Sequence, residues 1–289
     1  LRAVGNSRTP LYFLVIASIV NVILDLIFVA GCSMGVKGAA VATVCSQVVS
    51  LVMSIVYIVK KCPFLWVKKS DFVIDKTLVN ELFSTGLSMA LMFSIVNFGT
   101  VILQYAINDF GKITIAAHTT ARKISGLYML PGTTLTAAVS TFTSQNYGAR
   151  RYKRIKQGVR YAFVLGMIWV VIANLSIFLF GKEIVRGVSG SEDTELIELA
   201  DWYLRVNLPY YLALIVLSVL RSVLQGIGLK LIPLVSSSIE LIGKLLVVLI
   251  LVQKMGYYGV IISEPIIWIV CSIVVTVAYV IRMRKLVKA

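Results

Sequence analysis

Charge is scarce in this chain. Of its 289 residues only 14% are Asp, Glu, Lys or Arg, against about 25% in a soluble globular protein. There is one histidine, His118, and the four cysteines, Cys32, Cys45, Cys62 and Cys271, form no CxxC pair. That argues against a structural zinc or a disulfide framework, and the cysteines read as small buried apolar residues. No nucleophile–base pair, HExxH helix or phosphate-cradling glycine loop occurs, which argues against an intramembrane enzyme and against direct ATP drive. The chain also opens Leu1-Arg2-Ala3, without an initiator Met or a signal peptide. A fragment of a longer protein is expected.

What is present is apolar. Hydrophobic residues make up 58% of the chain and the mean hydropathy is +0.91. A soluble fold of this length cannot hide so much apolar surface. Eight stretches are long enough to cross a bilayer, which takes about 20 residues of helix. They run over residues 10–31, 36–59, 82–107, 115–145, 159–180, 201–224, 231–252 and 258–281. None alternates as a barrel strand would, so an all-α polytopic membrane protein with eight transmembrane helices is expected. The fourth stretch is longer and more polar, and Pro131 near its middle should bend it.

The net charge of +15 follows the connections. Nineteen of the 28 basic residues fall on one side, including Lys60, Lys61, Lys68, Lys69, the run Arg150–Arg160, Arg221, Lys230 and the C-terminal Arg282–Lys288. Five fall on the other, and Arg122, Lys123, Arg205 and Lys244 lie within or at the ends of spans. The positive-inside rule therefore places both ends in the cytoplasm of a cell-membrane protein, and the basic charge is a topology signal with no nucleic-acid partner. The longest cytoplasmic connection carries Phe64, Leu65 and Trp66 beside Lys68 and Lys69, fit to lie on an anionic leaflet. The outer connection at residues 181–200 holds five acids and reads as a solvated face.

Two stretches repeat. Leu1-Arg2-Ala3-Val4-Gly5 with Pro10-Leu11 returns as Leu224-Gln225-Gly226-Ile227-Gly228 with Pro233-Leu234, an offset of 223. Met34-Gly35-x-x-Gly38 returns as Met255-Gly256-x-x-Gly259, an offset of 221. Internal duplication is the pattern of transporters that rock one half against the other. On that reading residues 1–60 are the last two helices of one lobe, 61–81 an inter-lobe connection and 82–289 a complete six-helix lobe.

These residues also resemble a known family. Leu1–Pro10, Asn21-Val22-Ile23-Leu24-Asp25 and Met34–Thr43 resemble the end of the N-lobe of multidrug and toxic compound extrusion (MATE) transporters, within the MOP superfamily. Ile115-Ala116-Ala117-His118, Pro131-Gly132 and Gln145–Ala149 resemble the second helix of that family's C-lobe. The resemblance implies a twelve-helix transporter, of which helices five to twelve are present: an incomplete N-lobe and a complete C-lobe.

Acids inside a membrane are costly and mark function. Of thirteen, only Asp25 and Glu240 lie well inside a span. Asp25 lies about 22 Å along its helix from Pro10 with no basic partner in the run. Asn21, four residues earlier, projects from the same face, and Thr43 on the returning helix lies at matching depth. A carboxylate, an amide oxygen and a hydroxyl suit a hard cation, and a buried carboxylate equally carries a proton. The resemblance adds the carbonyl of Ala39, and implies a further acid on a first helix outside this sequence. A structural polar cluster remains the plain alternative.

Glu240 has Lys244 four residues on, an ion-pair spacing. Glu264, next to Pro265, reads as a cap or hinge near an outer helix end, and His118 as an interfacial polar residue. Met89, Met92, Asn97 and Gln104, with Asn207, Tyr210 and Tyr211, are candidates to line a substrate cavity, since methionine and aromatic faces suit lipophilic cations. The expected protein is a monomeric secondary antiporter among membrane lipids. It exports cationic amphipathic molecules in exchange for Na+ or H+, without a cofactor or ATP. A lipid-linked precursor flippase and a non-transport membrane scaffold or enzyme stay open.

Overall fold

A computed structural model describes residues 1, 4–67 and 73–288, the last two by backbone alone. Regular structure among the described residues is helical throughout. The order is α1 (Arg8–Asp25), which continues as a π-helical stretch at Leu26–Gly31, α2 (Gly35–Lys61), α3 (Lys76–Ile107) and α4 (Lys112–Gly148). There follow α5 (Tyr152–Ser189), α6 (Thr194–Asn207), α7 (Tyr211–Gly226) and α8 (Leu231–Leu246), itself continued by a π-helical stretch at Val247–Val252. The short α9 (Gln253–Met255) leads to α10 (Tyr257–Lys288). Arg2, Ala3, Lys68 and Lys69, singled out in the sequence, lie outside the described residues.

Seven helical stretches among the described residues are long and apolar enough to cross a membrane. The fourth expected span, α4, is helical over 37 residues but is not among those seven, because Thr, Ser, His118, Arg122 and Lys123 dilute its apolar residues. The helix continues through Pro131. A break in helical backbone falls in α5, at Phe180 (φ −128°). The expected acidic outer connection is also shorter than its composition indicates. Asp193 accepts hydrogen bonds from the backbone N–H groups of Glu195 and Leu196 and so starts α6 at Thr194, while α5 runs on to Ser189.

Only Cys271 among the cysteines is buried; Cys32 and Cys45 are exposed and Cys62 is half-buried. In a soluble protein the expectation of burial would hold, but here the outer surface is itself apolar. Leu51, Val52, Phe98, Val171, Phe178 and Ile273 are all exposed, as a lipid-facing surface requires. On the described stretch after α2, Phe64 and Trp66 are likewise exposed.

The chain divides into two compact units, residues 1–76 and 77–289, with the boundary inside residues 61–81. In the first unit, Asn6 opens α1: its Oδ1 accepts from the Thr9 N–H at 3.2 Å and its Nδ2 donates to the Tyr57 hydroxyl at 3.0 Å. α1 packs on α2, with Phe13 edge-on to Tyr57. Gly38 makes the close crossing possible, since a Cβ there would sit 3.1 Å from the Phe28 backbone. In the second unit α4 packs on α5, α6 and α7, and α10 packs on α7 and α8. Tyr203, Leu220, Leu224 and Ile261 lie fully buried where these helices meet.

The duplication seen in the sequence has a backbone counterpart. Gly5 and Gly228, 223 residues apart, turn with φ of +86° and +83°. The π-helical stretches at 26–31 and 247–252 and the turns at Gly35 and Gly256 (φ +56° and +60°) are each 221 apart. A Cβ on Gly259, like one on Gly38, would strike the backbone of the preceding helix, at 2.6 Å from the Leu251 carbonyl oxygen.

Candidate ion site and intramembrane cavities

Asp25 is the last α-helical residue before the π-helical stretch, a widened turn of a kind often found at functional sites. The sequence pattern does not reveal that junction. Asp25 Oδ1 and Asn21 Nδ2 are both buried atoms with no hydrogen-bond partner, and no described cation pairs with Asp25. On α2 the Thr43 hydroxyl donates to the Ala39 carbonyl at 2.9 Å, so those two predicted ligands are neighbours. Thr43 is exposed and Ala39 half-buried. The first unit thus holds two polar pairs on adjacent helices, one of them with unspent hydrogen-bonding atoms.

The second unit spends its charges internally. Lys244 Nζ donates to Glu240 Oε1 at 3.1 Å, the pair expected from spacing. A second partner is unexpected: Arg221 Nη2 reaches Glu240 Oε2 at 3.2 Å while its Nε donates to the Ser236 hydroxyl at 2.7 Å. Position alone puts Arg221 with Lys230 in a cytoplasmic connection, but it is part of α7 and largely buried.

Glu264 is not a helix cap. It lies inside α10 with 8% of its surface exposed, takes Arg122 Nη1 at 2.8 Å on one oxygen and the Tyr203 hydroxyl at 2.6 Å on the other. His118 is packed inside the unit. It is buried, its Nδ1 lies 3.1 Å from the Tyr257 hydroxyl, and its ring meets Tyr203 edge-on. Burial requires such partners. Arg122 and Lys123, the two charges inside the fourth apolar stretch, were the readable signal that an acid elsewhere would meet one of them.

Of the predicted cavity residues, Met89 and Met92 line a cavity of about 440 Å³ together with Phe93, Met129, Ile215 and Arg221. Tyr211 lines a smaller one, about 220 Å³, and stacks edge-on with Trp268. The remaining four lie in neither. Asn97 donates to the Phe93 carbonyl and Gln104 to the Asn108 side chain. Asn207 is fully buried, donating to the Tyr203 and Ile261 carbonyls, and Tyr210 is exposed.

Seven described helical stretches long and apolar enough to cross a bilayer mark a multi-pass membrane protein. The MatE family profile matches residues 88–250, more than half of the chain, and the chain belongs to that family. The probable multidrug resistance proteins YoeA and YpnP of Bacillus subtilis are similar to it. YoeA is 26% identical over 82% of this chain and 52% of its own length; YpnP is 24% identical over 79% and 50%. The chain thus spans about half the length of these curated relatives. Among solved structures, a multidrug resistance MATE family transporter of the MOP superfamily in an outward-facing conformation superposes with a TM-score of 0.85. It is 23% identical, over 96% of this chain and 63% of that one. That likeness shows the fold.

Proposed function

We propose that this protein is a secondary active exporter of amphipathic, cationic small molecules, driven by exchange for Na+ or H+ bound at Asp25. One observation carries the reading: a carboxylate oxygen and an amide nitrogen, one turn apart in an apolar helix, are buried without partners. A carboxylate within an apolar span without a counter-charge is expensive, and a visiting cation or proton relieves that cost. Asn21 Oδ1, the Thr43 hydroxyl oxygen and the Ala39 carbonyl are the oxygens available to share a cation. Filling the site favours one arrangement of the transporter, and the coupling to substrate is reciprocal. The multidrug resistance names of the relatives support the substrate class, as does the largely apolar, methionine-lined cavity at Met89 and Met92. Both ends of the chain face the cytoplasm in this reading, as the basic residues imply.

The test is efflux of a fluorescent cation such as ethidium from cells or vesicles carrying the gene product, with Na+ and pH gradients imposed separately. Wild type is expected to respond to one of the two gradients. Asp25→Asn is expected to lose at least about 90% of the gradient-dependent rate, and normal gradient-driven efflux by that variant rules out the role.

A further inference from the structure

The second unit holds a charge it does not balance. Among the described residues, ion pairs tie Arg122 to Glu264 and tie both Arg221 and Lys244 to Glu240, and Arg122, Lys244 and the two carboxylates border one cavity. Three cations thus meet two carboxylates, and the group carries one positive charge in excess. Lys244 is only 4% exposed, and its Nζ has beyond Glu240 only the Thr100 hydroxyl, at 3.5 Å. Gly99 clears the way for it: a Cβ there would lie 2.8 Å from Lys244 Cδ. The side chain is therefore accommodated along its length to deliver an ammonium into the bundle.

The surplus charge borders a space. The cavity of about 220 Å³ is lined by Arg122, Ser125, Thr100 and Lys244 along with both carboxylates. Arg122 keeps 40% of its side chain exposed despite its ion pair, leaving guanidinium N–H groups to face a guest. Ser125, 6% exposed, holds its hydroxyl beside Tyr211 on the wall of the same cavity. A guanidinium and an ammonium can only donate and a serine hydroxyl can also donate, so an acceptor satisfies all three together. An uncompensated cation in a low-dielectric interior favours a negative guest for the same reason.

We propose that this cavity binds a monovalent anionic group between Arg122, Ser125 and Lys244. The group is either a small free anion or the carboxylate end of a larger organic compound. The site is separate from Asp25 and does not depend on the exporter reading.

The test is the thermal stability of the purified gene product in detergent, at constant Na+ and constant ionic strength, with chloride or acetate replacing the bulky HEPES anion. Wild type is expected to gain several degrees in Tm, saturating with anion concentration. A gain with chloride alone assigns a small inorganic ion, whereas a gain with acetate assigns a carboxylate group. Lys244→Met, which leaves two cations facing two carboxylates, is expected to lose the response, and Lys244→Arg to keep it. Equal melting of wild type in all three anions overturns the proposal without any variant, and so does an undiminished response in Lys244→Met.

Discussion

Glu264 shows how one residue ties three helices together. Its two oxygens take Arg122 from α4 and Tyr203 from α6, and no spacing rule connects those positions across 142 and 61 residues. The acid beside Pro265 was visible in the sequence; its partners were not, because they meet only once α4, α6 and α10 are packed. Glu240 and Lys244, four residues apart on one helix, were legible for the opposite reason. Tyr203→Phe is expected to destabilise the protein by roughly 1.5–3 kcal/mol, the range for a hydrogen bond to a charged group, read as a fall in detergent-solubilised Tm. Glu264→Ala is expected to cost more than Tyr203→Phe, since it leaves Arg122 without its partner. A Glu264→Ala protein as stable as wild type would show that the cluster contributes nothing to folding.

Among the elements, the helices were legible in outline because apolar runs of bilayer length have few other uses. Their ends were not, since flanking polar turns such as 152–158 and 194–200 are amphipathic extensions that hydropathy alone passes over. The π-helical stretches were hidden as well: Leu26–Gly31 and Val247–Val252 are ordinary apolar sequence. The glycines between helices were readable as a repeat, and the packing supplies their physical reason. Gly259→Ala is expected to lower Tm by several degrees, since the new Cβ meets the Leu251–Val252 backbone, which cannot turn aside as a side chain would. Gly86→Ala, on α3 with no atom within 4 Å of its would-be Cβ, is expected to be neutral or stabilising by about 0.5–1 kcal/mol. Equal melting of the two variants would remove the argument from close backbone approach.

For the whole molecule, the distribution of Lys and Arg gives an orientation that labelling can check. Cys32 follows α1 and its π-helical end, and Cys62 follows Lys60 and Lys61 at the end of α2. With both chain ends in the cytoplasm, a membrane-impermeant maleimide applied to intact cells is expected to label Cys32 and spare Cys62 until the cells are opened. The reverse pattern would invert the topology. Family membership was also legible at this scale, through ordered short motifs no one of which is distinctive. The internal repeat reaches into the backbone. A π-helical stretch carries extra residues per turn, and both copies carry it at the same distance from the glycine that ends it. Asp25 stands immediately before one widened turn and Leu246 before the other, so the wide turn forms with or without a charge at its mouth.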